Sequence, residues 1–211
     1  MIELAILFWV GFSTGLSGAM IPGPLFLYTI SEAFHQGQWA GIKVAFGHLI
    51  LEGVFVVLIS FGLRAWLSFP LVHHVMAVVG GVGLVLMGGL ILARIKGMSL
   101  SRQSQLTFHG GPLVGGAFFS AVSPGFFLWW ATIGTAVLFQ GLLKGLTGIL
   151  FIAAGHAFAD LAWYWLVAFS VERGRTYCTD RIYRGIMRGL AVCLIILGMG
   201  LPVVHWIKGG T

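Results

Sequence analysis

Charge is what this chain lacks most. Of its 211 residues only 9% are charged and only six are acids. An ordinary soluble domain carries about 25% charged residues. With 58% hydrophobic residues, the chain cannot hide its apolar surface from water by folding on itself, so its main solvent is lipid. Cysteine is almost missing. Cys178 in a basic loop and Cys193 in an apolar run are too few for a disulfide framework or a thiolate metal knot. No Ser or Cys sits in a recognisable nucleophile motif, which argues against an intramembrane hydrolase, and nothing in the chain calls for a cofactor. The apolar N-terminal stretch has no Lys or Arg before it and no clear cleavage site, so it reads as a first membrane span rather than a removed leader. The net charge of +6 would suggest nucleic acid in a soluble protein. Here the basic residues lie between apolar runs and read as a topology signal, with no nucleic-acid partner expected.

What is present is a pattern that occurs twice. The first copy reads Pro22-Gly23, then Gln36-Gly37-x-x-x-Gly41, then Gly47-His48-x-x-x-Glu52. The second reads Pro124-Gly125, then Gln140-Gly141-x-x-x-Gly145, then Gly155-His156-x-x-x-Asp160. Apolar runs long enough to cross a bilayer fall at about 4–30, 42–63, 71–93, 112–138, 146–170 and 186–207. The predicted fold is therefore all-α and transmembrane: a six-helix bundle of two three-helix repeats, 1–95 and 112–211, joined by a cytoplasmic linker at 96–111. Loops one, three and five hold Lys43, Arg94, Lys96, Arg102, Arg173, Arg175, Arg181, Arg184 and Arg188, against Arg64, Lys144 and Lys208 on the other side. The positive-inside rule puts those three loops in the cytoplasm and both termini outside. Three spans per copy then force the second copy to insert upside down, which makes the repeats inverted.

Spans one and four are broken. Pro22-Gly23-Pro24 cannot continue a regular helix, since two N–H donors are missing and glycine loosens the chain between them. Ser123-Pro124-Gly125 does the same in span four. Freed backbone groups in lipid must be satisfied by protein or cavity water, so both breaks are expected to face the bundle interior. A half-helix that starts after proline presents unpaired N–H groups and partial positive charge to an anion. The alternative is a kink that only shapes packing.

Glu52 and Asp160 supply the opposite sign. Each lies one helical turn after a histidine, so His48 stacks over Glu52 and His156 over Asp160. A midplane acid costs roughly 2.5–3.5 kcal/mol on insertion scales and is functional by default. Beside an imidazole it can exchange protons near neutral pH, as proton-coupled transport requires. A buried His–acid bond that locks two helices is the competing explanation. The same four residues, His48, Glu52, His156 and Asp160, also permit a divalent metal site. Gly47 and Gly155 leave room for another helix or for a substrate. Gly37/Gly41 and Gly141/Gly145 are expected to serve helix packing. Glu32 is expected to be solvated at the cytoplasmic end of span one. Trp129, Trp130, Trp163, Tyr164 and Trp165 are either pocket lining or packing. His73-His74, Trp39, Trp66 and Trp206 are expected at the interfaces. The glycine-rich spans are compatible with a homodimer, with no face assigned.

The run Gly18-Ala19-Met20-Ile21-Pro22-Gly23-Pro24, followed by Gly37-x-x-x-Gly41 and Gly47-His48-x-x-x-Glu52, resembles the LysE family of amino-acid exporters, in its archaeal-type branch. So do Ser123-Pro124-Gly125 through Trp129-Trp130-Ala131-Thr132-Ile133-Gly134, Gly155-His156 to Asp160, and Val171-Glu172-Arg173-Gly174-Arg175. The resemblance covers nearly the whole chain. It implies a six-span protein of the cytoplasmic membrane that exports amino acids or related small molecules, by proton or cation antiport, with the two breaks as the site region. Many relatives have Asn-Pro where this chain has Ser123-Pro124. The wider superfamily includes metal-ion exporters and thiol carriers. The thiol carriers place Cys in spans one and four, where this chain has none. The expected function is a secondary transporter exporting a small zwitterionic solute, with a divalent-metal exporter as the alternative. The expected substrate-binding residues are Pro22, Gly23, Pro24, Gly47, His48, Glu52, Ser123, Pro124, Gly125, Gly155, His156 and Asp160.

Overall fold

The computed structural model describes residues 2–63, 70–97, 110–174, 176, 177 and 179–209. Among them every regular element is helical. Five stretches are long and apolar enough to cross a membrane: Ile2–Ala19, Trp39–Phe61, Pro124–Leu142, Gly145–Gly174 and Asp180–Gly200. The chain is a multi-pass membrane protein in architecture. The expectations for Cys178, Cys193, His73, His74, Trp66 and Trp206, and for most of the linker, lie outside the described residues and side chains.

Helix α1 (Ile2–Ala19) stops short of Pro22, and α2 (Pro24–Gln36) starts after it. The cause is covalent. Pro22 and Pro24 have no N–H to give the helix ladder, while the fixed φ of Pro24 suits a first helical position. Gly23 between them is extended, at φ −151° and ψ −173°. The second break repeats this. Helix α5 (Gly111–Ala121) ends, Ser123 is extended, and Pro124 opens α6 (Pro124–Trp129). Both breaks fall where the prolines predict them. Helix α6 runs through a π-helical turn at Trp130–Gly134 into α7 (Thr135–Leu142). The Thr135 hydroxyl donates to the Trp130 carbonyl at 2.6 Å across that wide turn. The remaining helices are α3 (Trp39–Leu58), α4 (Pro70–Arg94), α8 (Gly145–Gly174) and α9 (Asp180–Gly209).

Helix α1 lies along α8, α5 along α3, and α4 along α9, while α3 and α8 meet between these pairs. Glycine sets the closest approaches. A Cβ on Gly11 or Gly155 would strike the α8 or α1 backbone at Ile152 and Phe8. A Cβ on Gly116 or Gly47 would strike α3 or α5 at Val44 and Leu113. Thus Gly11·Ile152 and Phe8·Gly155 in one pair correspond to Gly116·Val44 and Leu113·Gly47 in the other. Gly41 also packs, against Tyr164 and Ala168, and Gly141 packs against Gly148. Gly37 and Gly145 do not follow the packing expectation: they have φ of +73° and +68° and shape turns.

Burial is inverted relative to a soluble fold. Trp9, Phe61, Leu71 and Leu146 are exposed, whereas His48, Glu52, Ser120, Thr135, His156 and Asp160 are buried. Lipid makes this order favourable, because apolar side chains need not leave it and polar ones must find partners inside. Glu32 departs from expectation. It is 1% exposed, with its carboxylate accepting from Gln36 Nε2 at 2.7 Å. The reason is that α2 is enclosed by α3, α5 and α8. At the same end of the bundle, Glu172 accepts the Gln38 backbone N–H at 2.6 Å, and Arg184 donates to the Lys96 carbonyl at 3.2 Å. Lys144 and Glu3 pair at 2.9 Å on the exposed surface, joining the starts of α1 and α8.

Candidate functional site

Both breaks open into one cavity of about 130 Å³. Its lining contains Pro22, Gly23, Pro24, Ser123, Pro124 and Gly125 from the breaks, and His48, Glu52, His156 and Asp160 from α3 and α8. A Cβ built on Gly23 would lie 3.8 Å from Ser123 Oγ, so the two breaks face each other directly. Ten of the twelve expected site residues are therefore brought together. Gly47 and Gly155 are not among the lining residues. Each meets a neighbouring helix backbone, so of the two occupants their missing side chains allowed, a helix is present rather than the cavity.

The breaks contribute donors. Leu27 N–H is bonded to the Gly23 carbonyl at 3.1 Å, and Phe126 N–H to the Ser123 carbonyl at 3.2 Å. Proline has no N–H, so Leu25 and Phe26 on α2 and Gly125 on α6 hold the first-turn donors that a helix leaves without internal partners. They border the cavity that the acids also line.

The acids form one connected cluster. Glu52 Oε1 is 2.9 Å from His156 Nε2 and 3.2 Å from His48 Nε2, and it accepts Trp130 Nε1–H at 3.3 Å. Asp160 Oδ2 lies 3.3 Å from His156 Nε2 but is not aligned to receive a hydrogen bond from it. His156 thus bridges the acids of the two copies. The helical i,i+4 spacing brings each His to its own acid, and the contact of α3 with α8 brings the pairs together.

Counting hydrogens fixes the polarity of part of this cluster. The Ser120 hydroxyl gives its only proton to the Gly116 carbonyl at 2.6 Å. It must therefore accept from His48 Nδ1, 2.7 Å away, so Nδ1 carries a hydrogen. A neutral His48 would then turn its Nε2 lone pair on Glu52 Oε1. One further proton between these atoms removes that repulsion. A proton placed there would be shared by His48 and Glu52, in surroundings with little water to screen it.

Among the described residues three polar atoms of the lining have no hydrogen-bond partner: Glu52 Oε2, Asp160 Oδ2 and Trp129 Nε1. A buried group left so costs about 1–3 kcal/mol, which a bound ligand or water recovers. Aromatic rings complete the walls. Trp129 lies 4.7 Å from the His156 ring, Trp130 lies 5.7 Å from it, and Phe126 and Tyr164 flank His48 at 5.7 and 5.9 Å. Gly134 makes room for Trp129 and Trp130, since a Cβ there would come within 2.7 Å of both. Trp163 stacks on Phe26 and Trp165 on Phe169, outside the cavity lining.

One donor atom each from His48, Glu52 and Asp160 lies within 4.8 Å of the others, a spacing from which one cation could be held, and His156 stands outside that set. Ser120, Gly15 and Gly18 also line the cavity. A lone serine and two glycines in apolar runs give no signal of this before the opposing helix is known.

An apolar helical bundle with two facing helix breaks and a buried charge cluster between them defines a membrane transporter. The LysE type translocator family model matches residues 16–204, so the chain belongs to that family, whose members are membrane transporters and not enzymes. No curated protein and no solved structure matches the chain.

Proposed function

We propose that the protein exports amino acids or closely related zwitterionic solutes across the cytoplasmic membrane in exchange for protons. The single observation that carries this reading is the presence of both signs in the lining of one cavity. First-turn N–H groups of two half-helices and the carboxylate atoms Glu52 Oε2 and Asp160 Oδ2, unpartnered among the described residues, line the same cavity. A zwitterion needs both. Its carboxylate would take the N–H groups of Leu25, Phe26 and Gly125, and its ammonium group the acids. A proton returning to the His48–Glu52 pair would weaken the hold on the ammonium group and favour release.

The two copies would act as inverted repeats. The equivalent contacts of α1 with α8 and of α5 with α3 support this, as does the pairing of α4 with its counterpart α9. Rocking of one set against the other would expose the cavity to each side in turn. Loops one, three and five meet at one end through Gln38–Glu172 and Lys96–Arg184, which is the end we assign to the cytoplasm.

The three-donor set of His48, Glu52 and Asp160 favours one other reading, export of a divalent metal ion. A thermal-stability screen on purified protein separates the two, with the twenty amino acids in one arm and Zn²⁺, Mn²⁺, Co²⁺ and Ni²⁺ in the other. Stabilisation by an amino acid supports the proposal. Stabilisation by metals alone, abolished by Asp160→Asn, supports the alternative.

A further inference from the structure

The equivalent helix contacts also expose a difference between the two copies. Gly11 on α1 meets Ile152, and Gly116 on α5 meets Val44. One turn further along each helix stand Gly15 and Ser120, and each faces the histidine of the opposite copy. Ser120 Oγ is 2.7 Å from His48 Nδ1. A Cβ on Gly15 would lie 2.6 Å from His156 Nδ1, but glycine has none. The same place in the fold therefore holds a hydroxyl in one copy and no side chain in the other.

This difference bears on the hydrogens that the two rings carry. Ser120 requires a hydrogen on His48 Nδ1, because its own proton is given to the Gly116 carbonyl. His48 has its second nitrogen against Glu52 at 3.2 Å, so both of its ring atoms are engaged. His156 instead turns Nε2 to Glu52 at 2.9 Å. Glu52 Oε1 is already an acceptor for Trp130 Nε1–H, so His156 Nε2 is the donor, and no hydroxyl stands on Gly15 to require a hydrogen on Nδ1. Among the described residues His156 Nδ1 makes no hydrogen bond, and both Gly15 and His156 line the cavity. Beside it, Trp129 holds an unpartnered Nε1–H, which a Cβ on Gly18 would approach to 2.9 Å.

We propose that the two histidines have divided their work. Ser120 fixes the ring of His48 for the proton it shares with Glu52, and Gly15 leaves the Nδ1 edge of His156 as the acceptor that meets the solute's ammonium group, next to Asp160 Oδ2. This deepens the export reading and rests on it for the identity of the ligand, though the division between the rings stands on the geometry alone. Gly15 is a positioning residue here, and His156 is the residue in contact with solute.

The test uses the full-length protein with ¹⁵N-labelled histidine in lipid nanodiscs. Ring-nitrogen shifts report which nitrogen carries hydrogen. His48 is expected to be protonated at Nδ1, and His156 to be bare there and protonated at Nε2. Ser120→Ala should shift the His48 signals and spare those of His156, and Gly15→Ala should do the reverse. The same tautomer on both rings, or a His48 signal indifferent to Ser120→Ala, overturns the division. A second measurement follows stabilisation by the amino-acid panel. His156→Asn keeps a polar atom near the Nδ1 position and should hold the half-stabilising concentration within about threefold of the parent value, whereas His156→Gln should raise it roughly tenfold or more. Equal losses, or the opposite order, overturn the contact with solute. If no amino acid stabilises the parent protein, the export reading fails by itself, and the tautomer spectra still decide the division.

Discussion

Replacing Gly155 by alanine adds a single methyl group, and the structure states what that group would meet. It would strike the Phe8 carbonyl and come within 2.9 Å of the Phe12 nitrogen, both backbone atoms of α1. A rotating side chain could yield, but a helix backbone cannot, so α1 and α8 must separate. Overpacking costs about 1–3 kcal/mol, and a backbone obstacle places this variant toward the upper end, at about 2–3 kcal/mol. For a chain of this size that corresponds to a Tm lowered by roughly 4–12 °C. Gly47→Ala should behave alike, since its Cβ would meet the Leu113 carbonyl and lie 2.9 Å from the Ala117 nitrogen. Gly53→Ala is the control, because its Cβ has nothing within 4 Å. The assay is thermal unfolding in one detergent, followed by intrinsic tryptophan fluorescence. If Gly155→Ala and Gly47→Ala both melt within about 1 °C of Gly53→Ala, the helix contacts are wrong and these glycines are free to face substrate after all.

Other perturbations have equally definite outcomes. Gly37→Ala forces a side chain into φ +73° and ψ −164°, a region kept almost wholly for glycine, so it should cost about 1–3 kcal/mol in the same melting assay. Its Cβ would also approach the Glu172 carboxylate at 3.1 Å, loosening the Gln38–Glu172 hydrogen bond. Trp130→Phe removes one N–H donor from Glu52 and keeps most of the ring, so a loss of about 1.5–3 kcal/mol is expected from the charge-assisted bond. Trp129→Phe removes a donor that has no partner among the described residues, so it should spare the melting temperature and weaken amino-acid stabilisation instead.

Legibility in the sequence followed the range of the interaction that decides each feature. The breaks at Pro22–Pro24 and Ser123–Gly125 were legible because proline's missing N–H acts on its own turn. The His48–Glu52 and His156–Asp160 pairs were legible because i,i+4 spacing is a property of a single helix. What could not be read depends on which helix lies opposite. Gly47 and Gly155 permit either a helix or a ligand, and only the placement of α5 and α1 decides between them. Ser120 and Gly15 gain meaning from histidines far away in the chain. Glu32 looked like a solvated residue at a span end, and enclosure of α2 by three helices buries it. The bond between Glu52 and His156 joins residues 104 positions apart, so no local pattern announces it.

The central claim is that the acids of this cavity bind and release the transported solute. Proteoliposomes loaded with the amino acid that best stabilises the protein, under an imposed proton gradient, test it most directly. Glu52→Gln replaces a carboxylate held by two imidazoles and an indole, and a loss of about 3 kcal/mol corresponds to export slowed roughly a hundredfold. Asp160→Asn should slow export as well, and both variants should lose the dependence on the gradient. Export at the parent rate by both variants, with the gradient response intact, would contradict the account.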